Sequence, residues 1–259
     1  MAIPITFLLL FVSLLLIITA TYYLAMTNIS AQGQTLNFSE AKQSMIGLEN
    51  TVSNVLWSPG ASEVYLMNDF GGNFETIPTA KTLLINITDG VLTDTIFSSP
   101  TGEAVYEMAN GEPGANGLYL EGDARTIVNS SASTMTQLGI ATGETFQEIM
   151  LSYRPLASST ITGSSVDKPV NTVQVYVVSM NLSQSLTLSG AFYLKAQCLS
   201  VVSSTRSYNI SYQASALQVN ALLDGTEGAV SLPISSSSFG AMINVEVLVC
   251  NVKLQTVEV

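Results

Sequence analysis

The sequence predicts an α+β protein in which one long N-terminal helix, hydrophobic and then amphipathic, leads into a β-rich, sandwich-like head. Three observations carry that prediction. The first charged side chain is Glu40, although the chain holds 8 basic and 19 acidic residues in 259. From Phe38 to Val55, apolar residues recur at spacings of three and four. Beyond Ser62, short runs of Val, Ile, Tyr, Phe and Thr alternate with Gly, Pro, Asn and Asp turns.

The first element is the segment Ile3 to Met26, which carries no charge. As a helix its 24 residues span about 36 Å, enough to cross a bilayer core of about 30 Å. Tyr22 and Tyr23 fall where an interfacial aromatic belt would lie. A cleavable secretory signal is disfavoured, because the basic n-region is missing and the apolar stretch is longer than an h-region of 7–15 residues. A one-pass membrane anchor is the plain alternative.

The helix is expected to continue past the apolar stretch. Phe38, Ala41, Met45, Leu48, Val52 and Val55 form a stripe that docks the head, while Glu40, Lys42, Gln43, Glu49 and Asn50 lie off it as solvated positions. Trp57-Ser58-Pro59-Gly60 stops the helix, since the residue before proline avoids the α region and glycine permits the exit turn. Residues 1–57 are therefore one helical unit, about 80 Å long. Thr27 to Thr35, with Asn28, Gly33 and several hydroxyl residues, is where a kink or melted turn is expected.

Residues 58–259 form the head. Strands are expected over Ser62–Met67, Lys81–Thr88, Val91–Phe97, Ala104–Met108, Leu118–Glu121, Phe146–Tyr153, Thr172–Met180, Ser185–Cys198, Ser207–Gln213, Leu217–Leu223, Ala229–Ile234 and Met242–Val257. Asp89-Gly90 and Asp224-Gly225 are hairpin signals. Polar Ser158–Lys168 is expected to divide two lobes near 158–168.

Composition narrows the function. There is no histidine, so Ser-His-Asp hydrolysis, His-ligated zinc and imidazole acid–base chemistry are excluded. The acidic excess, without a basic run, argues against nucleic acid. The expectation is a non-enzyme without cofactor. Ser39-Glu40-Ala41-Lys42 matches the S-x-x-K spacing of penicillin-interacting serine enzymes, but no Ser-Asp-Asn or Lys-Thr-Gly partner follows, and a chance match on a solvated helix face is the better reading. Asn68–Asn73, Glu121–Asp123 and Asp224–Glu227 offer oxygen ligands of the kind calcium uses, without EF-hand spacing; ordinary turns explain them better.

Hydroxyl replaces charge on the surface: 32 serines and 25 threonines. Asn-x-Ser/Thr acceptors stand at Asn28, Asn37, Asn86, Asn129, Asn181 and Asn209, candidates for covalent glycans in a composition that also creates such motifs by accident. Cys198 and Cys250 either form one disulfide, worth about 4 kcal/mol by loop entropy, or remain two buried thiols. Strand parity is divided on this point: Cys198 shares an apolar face with Phe192, Leu194 and Ala196, whereas Cys250 shares one with Glu246, and a bulge near Cys250 would reconcile them.

A charge-free helix with Pro4 near its start (Met1-Ala2-Ile3-Pro4-Ile5-Thr6-Phe7-Leu8-Leu9-Leu10, then the apolar run to Met26) that continues into an amphipathic helix and a Ser/Thr-rich β head resembles the type IV pilin superfamily, in particular archaeal pilins and archaellins. The likeness covers roughly the first 57 residues. Ile5 stands where bacterial pilins carry a glutamate, and the short basic leader ending in glycine that precedes family members is absent. The resemblance implies a structural subunit of an archaeal type IV pilus-like extracellular filament, inserted in the cytoplasmic membrane before assembly machinery polymerises it. Ile3, Phe7, Leu10, Leu14, Ile17 and Met26 would line the filament core and the heads would face outward for adhesion. The alternative is a monomeric membrane-anchored surface protein or minor pilin-like component.

Overall fold

The computed structural model describes residues 2–109, 114–129, 134–165, 168–180 and 184–257, with side chains of the helix from Phe7 onward. Helix α1 runs unbroken from Ala2 to Val55. No turn is melted between Thr27 and Thr35: α1 stays helical throughout, and the Thr27 and Thr35 hydroxyls donate to the carbonyls of Leu24 and Ala31, at 3.0 Å each. It ends two residues before the expected stop. Trp57 adopts φ 62°, the left-handed conformation of a helix exit, and Gly60 follows at φ 86°.

Thirteen strands follow among the described residues: β1 Ser62–Met67, β2 Asn73–Thr88, β3 Thr93–Ala109, β4 Tyr119–Glu121, β5 Thr136–Thr142, β6 Phe146–Tyr153, β7 Leu156–Ser165, β8 Lys168–Met180, β9 Leu186–Ser189, β10 Phe192–Ile210, β11 Ala216–Leu223, β12 Thr226–Pro233 and β13 Ala241–Thr256. They form two curled sheets. The first has the order β1-β10-β13-β8-β7; the second has β12-β11-β2-β3-β6-β5-β4, with β9 paired to β2. All pairings between named strands are antiparallel except β13 with β8. The Asp224-Gly225 turn joins β11 and β12 as a two-residue hairpin with both residues at positive φ.

No lobe boundary falls at Ser158–Lys168. Most of that segment is β7, an edge strand paired to β8, and both sheets draw strands from before and after it. Its Ser/Thr-rich composition reflects an edge position rather than a linker. Other expected strands are joined or divided: β3 takes in Val91–Phe97 from Thr93 onward and all of Ala104–Met108, whereas Ser185–Cys198 is split between β9 and the start of β10, which then continues into Ser207–Gln213 as far as Ile210.

Two apolar cores result. The proximal one gathers the α1 stripe with Met67, Phe74, Tyr106, Leu138, Leu151, Met180, Leu194 and Leu254. The distal one is closed without the helix, from Leu83, Ile85, Val173, Val175, Leu217, Val219 and Val245 of the sheets, with Ile127 and Ile234 from connecting segments. Strand β13 belongs to both. Ile243, Val245 and Val247 are buried in the distal core, then Cys250, Val252 and Leu254 in the proximal one. The register with β8 is unbroken from Met242↔Val170 to Val252↔Met180, so this change from odd to even positions means that opposite faces of the strand are buried at its two ends. Strand β8 does the same, passing from Val173, Val175 and Val177 to Val178 and Met180. That resolves the parity of Cys250: Glu246 shares its face, but at a level where that face is not covered. The irregularity of the β10–β13 ladder lies in β10, between Cys198 and Ser200.

Helix α1 enters the proximal core between the sheets, touching β1 and β10 on one side and β3 and β6 on the other. Phe38, Ala41, Met45, Leu48, Val52 and Val55 are all buried there. Truncating Leu48 to alanine should destabilise the head by about 2–5 kcal/mol, because no exposed segment can collapse into the space left between two sheets. Chemical denaturation of the purified protein measures it.

Candidate functional site

The functional candidate is α1 itself, which divides into a bare half and a held half. Every described side chain from Phe7 to Asn37 is exposed, including Phe7, Leu10, Leu14, Ile17 and Met26. Ile3 lies outside the described side chains. The helix is long and apolar enough to cross a membrane. Its apolar residues lie on all sides over this stretch, so the surface is a cylinder rather than a stripe.

The held half is fixed by more than the apolar stripe. Tyr65 on β1 meets Ser44 hydroxyl to hydroxyl at 3.2 Å, and Asn54 donates to Glu63 at 3.0 Å, so β1 runs back down along the helix. After the turn, the Gly60 amide donates to the Cys198 carbonyl at 2.9 Å and the Cys198 amide to Ala61 at 3.0 Å. Trp57 packs edge-on against Tyr176, with ring centroids 5.3 Å apart.

Glu49 corrects the sequence reading. Expected on a solvated face, it is only 3% exposed, because a helix wedged between two sheets is covered over a wider arc than one stripe. Its Oε1 accepts from Ser53 at 2.6 Å, one turn on, and from Thr136 of β5 at 2.7 Å. The Glu121 carboxyl, from β4, shares a hydrogen bond with that of Glu49. Burial, and then the charge of Glu49, raise the pKa of Glu121. The buried Tyr153 phenol is pushed well above its ordinary value by desolvation, with both carboxylates adding to the shift. Helix and second sheet are thus joined through a contact between two carboxyls, in which Glu121 is pushed towards its protonated form.

Beside this junction, Arg154 is 1% exposed. Its guanidinium donates to the carbonyls of Thr134, Asp123 and Arg125, at 3.0–3.2 Å, and ion-pairs with the Asp123 carboxylate. Arg125, and then Arg154, hold the Asp123 carboxyl far below the usual range. Glu121–Asp123 is therefore committed to neighbours rather than to calcium. In the other two candidate loops, Asp69 caps the Gly71 amide at 2.8 Å and Asp224-Gly225 forms the β11–β12 hairpin. Among the described residues, no group of three acidic or thiol side chains gathers to hold a metal.

The remaining candidates are spread out. Ser39 is exposed and the Lys42 ammonium sits 5.1 Å above the Phe38 ring. Asn28 and Asn37 are exposed on α1, and Asn129 is exposed next to Val128, which bridges to the start of β7. Asn86 lies within β2, its carbonyl oxygen accepting from Thr95 at 2.8 Å; that of Asn209 accepts from Lys168 at 2.6 Å. Asn181 lies outside the described residues. Cys198 and Cys250 are buried free thiols in adjacent strands, 3.6 Å apart, and Cys250 also accepts the Trp57 amide at 3.4 Å. Burial pushes the Cys250 thiol up to about 12.

No protein-family model, no curated protein and no solved structure matches this chain.

Two outcomes are expected at the junction. A carboxyl whose folded pKa is raised stabilises below its unfolded value and loses that contribution as pH climbs through the folded one. Stability should therefore decline as pH rises from about 4 towards neutrality, and Glu121→Gln should flatten that decline and raise the melting temperature at pH 7. Thermal melts across this range measure both. In the reduced native protein, neither cysteine should react with iodoacetamide at pH 8, while both react after denaturation; mass spectrometry counts the adducts.

Proposed function

We propose that this chain is the structural subunit of a type IV pilus-like extracellular filament, held together by packing of the bare half of α1 against that of other copies, with the β heads outside. The observation that carries this reading is the asymmetry of one continuous helix. Its second half is buried between two sheets, whereas Phe7 to Asn37 projects from the head with every described side chain exposed. A charge-free apolar cylinder about 45 Å long must be covered by lipid or by copies of itself. The absence of any charge before Glu40 suits both in succession: storage in a membrane, then transfer into a filament axis without burial of an ion.

Several further features agree with an outward-facing structural role. The head surface is rich in hydroxyl, and the acceptor sequences at Asn129 and Asn209 are exposed on the head, positions where glycans would decorate such a filament. Adhesion would belong to the heads, and delivery of subunits to a membrane assembly machinery.

The test is electron microscopy of material sheared from expressing cells, with peptide identification. Filaments containing this chain are expected. Leu14→Glu should abolish them, since a charge at the centre of an apolar span costs about 3 kcal/mol even with lipid relaxation, while the melting curve of the head stays unchanged. Recovery only from detergent-extracted membranes would favour the monomeric anchor, and normal filaments from the Leu14→Glu chain would overturn packing through this helix.

A further inference from the structure

The proximal core has an outer face on either side. Because the inner faces of both sheets line that core, their outer faces look away from it in different directions. On the first sheet, the outward positions of β1 and β10 are apolar and exposed: Val64, Leu66, Tyr193, Leu199 and Val202. Val64 lies opposite Lys195 and Leu66 opposite Tyr193, and Lys253 on β13 lies opposite Gln197. Neither Lys195 nor Lys253 has an ion pair among the described residues, in a chain of net charge −11 whose other cations are mostly engaged.

The second sheet carries the complement. Its outward positions over the same core hold Glu75 on β2, Glu103 and Glu107 on β3 and Glu148 on β6. Glu107 and Glu148 stand directly opposite each other in the ladder, an arrangement that costs stability in isolation. Burial raises the pKa of Glu148, and the charges of Glu107, Glu103 and Glu75 raise it further. Among the described residues, Glu103 alone of the four has an ion pair, with Lys81 at 3.1 Å.

We propose that the apolar and basic outer face of the first sheet docks on the glutamate face of the second sheet in the next copy of this chain. Lys195 and Lys253 relieve the glutamate repulsion, while Val64, Leu66, Tyr193, Leu199 and Val202 exclude water around the pairs. Two different faces are used, so the contact is heterologous: each copy keeps one free face of each kind, and the series does not close on itself unless the rotation happens to do so. This rests on the filament reading and adds to it a contact between heads, whose charge complementarity sets which neighbours meet and in what register.

The test uses the full chain in the filament assay. K195E/K253E should reduce filament yield roughly tenfold or more, because like charges then meet across the contact. Adding E107K/E148K to the same chain should restore assembly by exchanging the signs. Carbodiimide treatment of the original filaments should yield intermolecular amides between Lys195 or Lys253 and the four glutamates. Undiminished filaments from K195E/K253E, or a loss that the exchange does not rescue, overturn the docking. If K195E/K253E assembles while Leu14→Glu does not, the docking falls and the filament reading stands; if the original chain forms no filament, both fall.

Discussion

The wedge of α1 between two sheets is the contact on which the rest of the molecule depends. Neither sheet closes the proximal core against the other without it. Phe38, Met45, Leu48 and Val52 occupy the space that the distal half fills without a helix, with strand residues such as Leu83, Ile85, Val175 and Val219. A helix held on two sides must satisfy what it brings. Ser44, Glu49 and Thr51 are buried with the stripe, and each has a partner: Met67 and Tyr65 for Ser44, Ser53 and Thr136 for Glu49, the Gly47 carbonyl for Thr51. Polar satisfaction at this junction fixes the rotation of the helix, which apolar burial alone would leave free to slip.

Much of this was legible from residue order. The 3-4 spacing from Phe38 to Val55 is a local property, and it identified the buried stripe because helical periodicity survives any tertiary context. The ends of β1 and β6 were legible for the same reason, and the Asp224-Gly225 hairpin through its turn chemistry. What escaped notice depended on partners distant in sequence. Glu49 is one residue from the stripe and is drawn inward by Thr136 and Glu121, 72 and more positions away. Arg154 carries no motif; its burial follows from carbonyls of a segment that folds around it. The strand β7 hid behind serine and threonine because an edge strand needs no apolar alternation, and Pro100 concealed that β3 is a single long strand.

The two cores are linked more tightly than their separate residue sets imply. Strands β8 and β13 turn one face to the distal core and the opposite face to the proximal one without a break in register. Loss of packing in either half therefore removes support from strands that the other half needs, so the head is expected to melt as one cooperative unit despite its two apolar centres. The pair Cys198 and Cys250 lies at that transition, beside the helix exit, where burial keeps Cys250 a neutral thiol.

The antiparallel return of β1 along α1 has a mechanical meaning. Ser44 lies beside Tyr65 and Met67, and Asn54 beside Glu63, so the chain leaves the helix and doubles back within six residues. Tension applied to the bare end of α1 reaches the head through that short return and loads the β1–β10 ladder along its length. Six residue pairs, Ser62↔Gln197 to Met67↔Phe192, then resist together in shear instead of opening one at a time. The same topology that seats the helix thus makes its attachment a clamp against pulling along the helix axis.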